Sequence, residues 1–244
     1  MDAVVLFSGG LDSTTALYWA LLRFDHVVAL HFDYGQRHAE PEQAATNAIC
    51  NVLQSPSCKY RQHFTYRHLR LPDQLFRSAN ALTGDVPIPS AAYADLEGVS
   101  PTYVPFRNGN LISAAASVAV QMNCSAVVTA NHANDWANWA YPDCSPEFIG
   151  AMANALWVGT YQQVRLVSPF LHRTKGEIAA VGAVLNVPYE LTRSCYTEAE
   201  LHCGTCPTCR ERHEAFAEAL YPDPTVYAHQ PNGPGCQVSG APLA

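Results

Sequence analysis

Between the apolar run Ala3–Phe7 and an amphipathic stretch from Thr14 to Leu22 lies the string Ser8-Gly9-Gly10-Leu11-Asp12-Ser13-Thr14-Thr15. A strand, a glycine turn and a helix start in succession present backbone N–H groups and a positive dipole end to an anion. Gly9 and Gly10 let the chain turn sharply and approach phosphate closely, and Ser8, Ser13, Thr14 and Thr15 add hydroxyl donors. Asp12 beside phosphate makes sense if its carboxylate helps hold the Mg²⁺ that ATP chemistry requires. The string lacks the Gly-Lys-Ser/Thr ending of the kinase-type phosphate loop. The bland alternative is a turn whose helix is capped by Asp12 or Ser13. Lysine occurs only at positions 59 and 175. Lys175, inside the capping-box sequence Thr174-Lys175-Gly176-Glu177, is the candidate to meet phosphate, with a solvated surface lysine as the alternative.

A second constellation lies near the C-terminus. Cys195, Cys203, Cys206 and Cys209 bring four of the nine cysteines into fifteen residues, in a stretch that also holds Gly204 and Pro207. Four thiolates at such spacing suit a closed tetrahedral zinc site, with sulfur about 2.3 Å from the metal and no position left for a catalytic water. An iron–sulfur cluster and a redox pair are the competing readings. Clustered cysteines in a chain without a signal segment point to a reducing compartment, hence the cytoplasm.

These groups need a scaffold, and the apolar pattern supplies one. Ala3–Phe7, Val27–Phe32, Ala126–Ala130 and Arg165–Ser168 read as strands. Thr14–Leu22, Glu40–Leu53, Leu111–Val120, Thr174 to about Leu185 and Arg210–Leu220 read as helices. Strands alternating with helices predict an α/β fold with a parallel sheet covered on both faces. Residues 72–102 carry Pro72, Pro87, Pro89 and Pro101 without a clean period, as a lid or binding loop would. From Tyr221 onward, five prolines and three glycines in 24 residues predict an extended arm. The expected division is therefore 1–190 for the main domain, 191–220 for the cysteine segment with its helix, and 221–244 for the tail.

The chain's 244 residues are 48% hydrophobic and 14% charged, with 14 basic against 21 acidic side chains and a net charge of −7. That balance argues against extensive nucleic-acid binding. Ala3–Phe7 is too short for a signal segment, and no stretch approaches the roughly 18 apolar residues of a membrane span.

The full string Ser-Gly-Gly-Leu-Asp-Ser at the end of the first strand resembles the PP-loop of ATP pyrophosphatases, which cleave ATP between its α and β phosphates. Three further strings are Phe32-Asp33-Tyr34-Gly35-Gln36-Arg37-His38, Tyr103-Val104-Pro105-Phe106-Arg107-Asn108 and Tyr141-Pro142-Asp143-Cys144-Ser145-Pro146-Glu147-Phe148. With the PP-loop and the cysteine cluster, they are similar in content and order to the 7-cyano-7-deazaguanine synthase family, from Ala3 to about Phe216.

The resemblance implies a Rossmann-like fold and a ligase that adenylates the carboxylate of 7-carboxy-7-deazaguanine, lets ammonia displace AMP, and converts the amide to the nitrile in a second ATP-dependent step. It places ATP on Phe7, Ser8, Gly9, Gly10, Leu11, Asp12, Ser13, Thr14, Thr15, Phe32 and Arg107. Ser8, Asp12, Ser13 and Lys175 would be catalytic. Tyr34, Gln36, Arg107, Asn108, Asp135, Tyr141, Asp143 and Glu147 would hold the substrate, with Trp136 and Trp139 available for stacking. Structural zinc, ATP with Mg²⁺, and a homodimer complete the expectation. Phe106 replaces the glycine usual in the family, which predicts a ring intruding on the ligand. The stretch 131–140 is longer than the family's by two residues. A relative stopping at the amide, and a PP-loop tRNA-modifying enzyme, are the alternatives.

Overall fold

The computed structural model describes residues 1–90 and 99–231. Five strands form one parallel sheet: β1 (Asp2–Leu6), β2 (His26–Asp33), β3 (Phe64–Arg70), β4 (Ala126–Val128) and β5 (Arg165–Val167), in the order β3-β2-β1-β4-β5. Among the described residues, seven α-helices accompany them: α1 (Leu11–Leu21), α2 (Ala39–Gln54), α3 (Arg107–Gln121), α4 (Ala133–Trp136), α5 (Pro146–Gly159), α6 (Lys175–Val184) and α7 (Pro207–Glu218). The α/β, Rossmann-like parallel sheet expected from the sequence is thus the architecture formed.

Strand alternation divides the core in two. Ala3, Val5 and Phe7 point to one face, where Leu17 of α1, Ile49 of α2, Ile178 of α6 and Phe216 of α7 cover them. Val4 and Leu6 point to the other, under Ile112 of α3 and Leu156 of α5. Strands buried on both faces need near-continuous apolar runs, and β1 and β2 have them. Each Leu or Ile removed wholly from water contributes about 1.5–3 kcal/mol. Leu17, Leu30, Ile49 and Ile112 are among those with under 2% exposure.

The sheet order reverses direction at β1, whose neighbours are β2 and β4. Ligands of open α/β sheets bind at such a switch point, beyond the carboxyl ends of the strands. Two boundaries differ from the sequence reading in ways that matter there. Strand β4 ends at Val128, so Thr129–Asn131 form a loop instead of extending the strand. Helix α3 begins at Arg107, four residues before the expected start, which puts Arg107 and Asn108 in its first turn.

The irregular stretch after Pro72 packs inward where it is described. Phe76 and Leu82 are buried in the second core, Phe76 lies 5.1 Å from the Tyr34 ring, and Leu82 accepts a backbone hydrogen bond from Arg37. The centre of the lid expectation (91–98) and the end of the tail (232–244) lie outside the described residues. Among the described residues, no helix is long and apolar enough to cross a membrane.

Candidate active site and cysteine cluster

A cavity of about 280 Å³ opens at the switch point, between the ends of β1, β2 and β4 and the first turns of α1 and α3. The glycine loop forms its floor. Gly9 has φ +74°, and a Cβ there would stand 3.1 Å from the Thr46 backbone nitrogen, so both conformation and the passing helix α2 require glycine. Helix α1 begins after Gly10 with no side chain capping it, which leaves its leading N–H groups for an anion. Ser13 does not act as a cap: its hydroxyl accepts from the Ser8 backbone N–H at 3.2 Å and lies 3.0 Å from the Ser8 hydroxyl.

Beside this floor stands a chain of charges. Lys175, 8% exposed, reaches from the first residue of α6 to Asp12 Oδ2 at 3.5 Å and to Glu211 Oε2 at 3.1 Å. It is therefore a buried ammonium beside the glycine loop, and the solvated-lysine alternative falls. Thr174 and Glu177 form the capping box that fixes it, and Asn134 Oδ1 accepts from its backbone N–H at 2.9 Å. Burial works against its charge, but Asp12 and Glu211 outweigh burial and hold Lys175 above the ordinary lysine range.

His132, 2% exposed, places Nε2 3.6 Å from Asp12 and 3.4 Å from Asp135. Burial disfavours its charge too, yet Asp135 and Asp12 raise its affinity for a proton. Asp12 in turn is pushed up by burial and pulled down further by Lys175 and His132, ending well below the usual carboxyl range. Its Oδ1 has no hydrogen-bond partner among the described residues.

The opposite wall comes from α3 and β2. Arg107 donates to the Tyr34 hydroxyl at 3.4 Å. Burial lowers its proton affinity, while Tyr34 and Asp143 more than restore it. Asp143 accepts from the Asn108 backbone N–H at 2.9 Å, and the Asn108 amide donates to the Asp143 carbonyl at 3.3 Å and to Cys144 Sγ at 3.0 Å. Asp143 thus caps the start of α3, where the helix dipole favours a negative charge, although burial raises its carboxyl above the ordinary range against that pull and the field of Arg107. Burial pushes the Cys144 thiol well above its ordinary range.

Of the residues named from sequence, Phe7, Ser8, Gly10, Leu11, Asp12, Ser13, Phe32, Tyr34, Arg107, Asn108, Asp135, Tyr141 and Lys175 line the cavity. Others do not, and each has a local reason. Thr14 and Thr15 are fully buried. The Thr15 hydroxyl donates to the Leu11 carbonyl at 2.8 Å and lies 2.9 Å from the Tyr189 hydroxyl, so it serves the core of α1. The amide of Gln36 is consumed by the Tyr34 N–H, the Phe32 carbonyl and Glu42, which makes it a brace for the turn after β2. Asp143 is engaged with α3, and Glu147 is exposed on the first turn of α5.

The Trp136 indole donates to the Leu171 carbonyl at 3.1 Å, and Trp139 is 67% exposed; neither lines the cavity. The Phe106 ring lies over Gly109 and 5.6 Å from Phe148, half-exposed and also away from the lining. Its backbone is left-handed, φ +54°, which explains why glycine suits that position better than the intrusion expected from sequence does. Glu42, His132, Arg193 and Glu211 line the cavity without having been singled out. His132 lies in the 131–140 stretch, whereas the others read as ordinary helix or loop charges.

The four cysteines of the C-terminal cluster converge, with all four Sγ atoms within 4.8 Å of one another. Backbone N–H groups of Thr197 and Cys203 point at Cys195 Sγ, and those of Thr205 and Cys206 at Cys203 Sγ, at 3.3–3.4 Å. Donors aimed at sulfur suit thiolates, and the donor set suits a metal ion. The cluster is joined to the cavity. Arg193 donates its backbone N–H to the Gly9 carbonyl at 2.8 Å, while its guanidinium ties together the carbonyls of Thr197, Ala199 and Glu200. Arg212 of α7, wholly buried, holds Tyr189, Thr192, Ser194 and Thr225.

A 7-cyano-7-deazaguanine synthase from Methanoculleus marisnigri is 40% identical over 228 residues, covering 92% of this chain and 98% of its own. Those of Marinomonas sp. and Haloarcula marismortui are 39% and 38% identical, covering 92% and 94% of this chain and 97% and 96% of theirs. The family model described as queuosine biosynthesis protein QueC matches residues 2–220. The chain belongs to the QueC family.

Proposed function

We propose that this chain is an ATP-dependent ligase that converts 7-carboxy-7-deazaguanine and ammonia to 7-cyano-7-deazaguanine through adenylated intermediates and an amide, releasing AMP and pyrophosphate. The observation that carries the reading is the meeting of the uncapped α1 start, Lys175 and Arg107 around one cavity. A carboxylate is a poor electrophile, and an acyl adenylate supplies it with a leaving group. Loop N–H groups, the Ser8 and Ser13 hydroxyls and Lys175 face the charge that develops as pyrophosphate departs, the kind of fixed stabilisation that dominates such catalysis. Phe32, at the end of β2, is the candidate adenine contact.

Arg107 and Asn108 take the substrate carboxylate, with Tyr34, Asp135 and Tyr141 around the deazapurine. Gln36 and Asp143 pass from direct substrate contact to support of these groups, and Glu147, exposed on the first turn of α5, leaves the set. Asp12 Oδ1, unpartnered within the site, suits Mg²⁺, which supplies charge neutralisation on the phosphates when bound. The four thiols suit structural zinc. A homodimer in the cytoplasm belongs to the same reading, and light scattering checks the assembly.

The test incubates the protein with ATP, Mg²⁺, ammonium and 7-carboxy-7-deazaguanine and follows products by mass. Transient amide followed by nitrile is expected, with AMP and pyrophosphate; amide as the sole end product, with ATP and ammonium in excess, would overturn the nitrile. Because the Phe106 ring sits outside the cavity, Phe106→Gly should leave the amide-to-nitrile ratio and both rates within about two-fold. The change exchanges a strained φ, costing roughly 1–2 kcal/mol in an L-residue, for lost packing against Phe148.

A further inference from the structure

Four carboxylates line the cavity among the described residues: Asp12, Glu42, Asp135 and Glu211. Three face a basic group whose affinity for a proton is raised above its ordinary value. Asp12 faces Lys175 and His132, Asp135 faces His132, and Glu211 faces Lys175. Glu42 differs. Its Oε2 accepts from the Gln36 amide at 2.9 Å, and its nearest basic group is His38 Nε2 at 3.7 Å.

His38 does not supply a charge. Its burial brings it down to about 4, helped by the positive field of Arg107, so at neutral pH it is an uncharged ring. Arg107 is engaged with the Tyr34 hydroxyl and is not within ion-pair distance of Glu42. Burial accordingly pushes the Glu42 carboxyl up to about 7, against the opposing pull of Gln36 and Arg107. A carboxyl poised there exchanges protons readily at neutral pH. Helix α2 fixes Glu42 in its first turn, and Gln36 fixes the carboxylate from behind.

The reaction proposed above brings a small cation to this cavity. Ammonia is present at neutral pH almost wholly as ammonium, which has no lone pair to attack with. We infer that Glu42 is the ammonium-binding residue and the base that converts ammonium to ammonia inside the cavity. The inference rests on the ligase reading. A proton passes from nitrogen to the Glu42 carboxylate, and the freed lone pair attacks the carboxyl carbon of the acyl adenylate. The new C–N bond forms, the C–O bond to AMP breaks with its electron pair on the phosphate, and that phosphate takes the second nitrogen proton. The amide is then neutral, and Glu42 returns its proton to solvent before the next turnover.

Two half-reactions separate this role from a structural one. Exchange of labelled pyrophosphate into ATP, driven by 7-carboxy-7-deazaguanine and Mg²⁺ without ammonium, needs adenylation alone. Amide formation needs the nitrogen. Glu42→Gln keeps the side-chain shape and an oxygen for the Gln36 amide. It should keep pyrophosphate exchange within about two-fold while kcat/KM for ammonium falls by about 100-fold or more, the range for losing a general base. Glu42→Asp, which keeps the charge one methylene further back, should lose an intermediate amount. Hydroxylamine, a nucleophile already neutral at the assay pH, should give hydroxamate at nearly the wild-type rate in the Gln variant.

An equal loss of exchange and of amide formation would assign Glu42 to nucleotide or deazapurine binding and overturn the inference. So would an unchanged kcat/KM for ammonium, or a hydroxylamine rate as depressed as the ammonium rate. Absence of carboxylate-dependent exchange in the wild type would overturn the ligase reading and this inference with it, whereas the other contrary outcomes overturn the inference alone.

Discussion

Asp12→Asn should lower carboxylate-dependent pyrophosphate release by at least about 100-fold in a protein that still folds. The variant keeps the shape of the loop and removes one charge, and Lys175 retains Glu211 at 3.1 Å as its partner. The expected loss comes from the reacting end of the site. Asp12 is the carboxylate paired with Lys175, and in the proposed reaction its unpartnered Oδ1 is the oxygen offered to a phosphate-bound cation. Without it, the ammonium swings toward Glu211 and the departing pyrophosphate loses part of its fixed positive field. Lys175→Met should lose at least as much activity and also melt earlier. It leaves Asp12 and Glu211 without their shared cation, and breaking a buried pair from one side costs about 3–5 kcal/mol. The two variants together separate chemistry from folding. Formation of ADP and phosphate by the wild type would contradict the assigned cleavage position outright, and an Asp12→Asn enzyme with full pyrophosphate release would remove Asp12 from the machinery.

The sequence made the floor of this site readable because its signals are local. Gly9 and Gly10 follow an apolar run, and Thr174 and Glu177 form a capping box, so a strand-turn-helix unit and a helix start carrying Lys175 could both be placed. What brings Lys175 to Asp12 is not local. It depends on α6 packing beside α1, a contact between segments more than 150 residues apart that no periodicity encodes. The same limit hid His132, whose role follows from two carboxylates reaching it from different elements.

Gln36, Thr15 and Asp143 erred in the other direction. Their polar side chains sit inside family strings, but each is spent on backbone or core partners, and hydrogen-bond accounting of that kind needs coordinates. Strand β3 was missed because Phe-Thr-Tyr-Arg-His-Leu-Arg is half polar, as an edge strand protected by charge should be. Helix α5 has no counterpart in the sequence reading, since its apolar residues run all round and only Ile149 and Leu156 are buried.

Cys206→Ser should abolish metal binding and the folded state together. Metal analysis of the wild type should return about one zinc per chain, the stoichiometry of a four-thiolate closed site; iron in its place would select the cluster alternative. The size of the effect follows from what the cluster holds. Cys206 is 3% exposed and stands immediately before α7, with Cys209 in that helix's first turn, so a missing ligand frees both the 195–206 loop and the helix start. Helix α7 inserts Ala215 and Phe216 into the first core and carries Arg212 to Tyr189, Thr192 and Ser194. Structural zinc contributes about 10–16 kcal/mol in small zinc domains, as much as the roughly 5–15 kcal/mol of a whole domain's stability, so the protein should aggregate or melt far below the wild type. The damage should also reach the phosphate loop, since Arg193 donates to the Gly9 carbonyl from the same segment. A strong chelator that strips the wild type should therefore suppress pyrophosphate exchange in parallel with zinc content, even with Mg²⁺ in excess. A soluble, folded and fully active Cys206→Ser protein would end the structural-zinc reading, because a site closed by four thiolates has no spare ligand to lose.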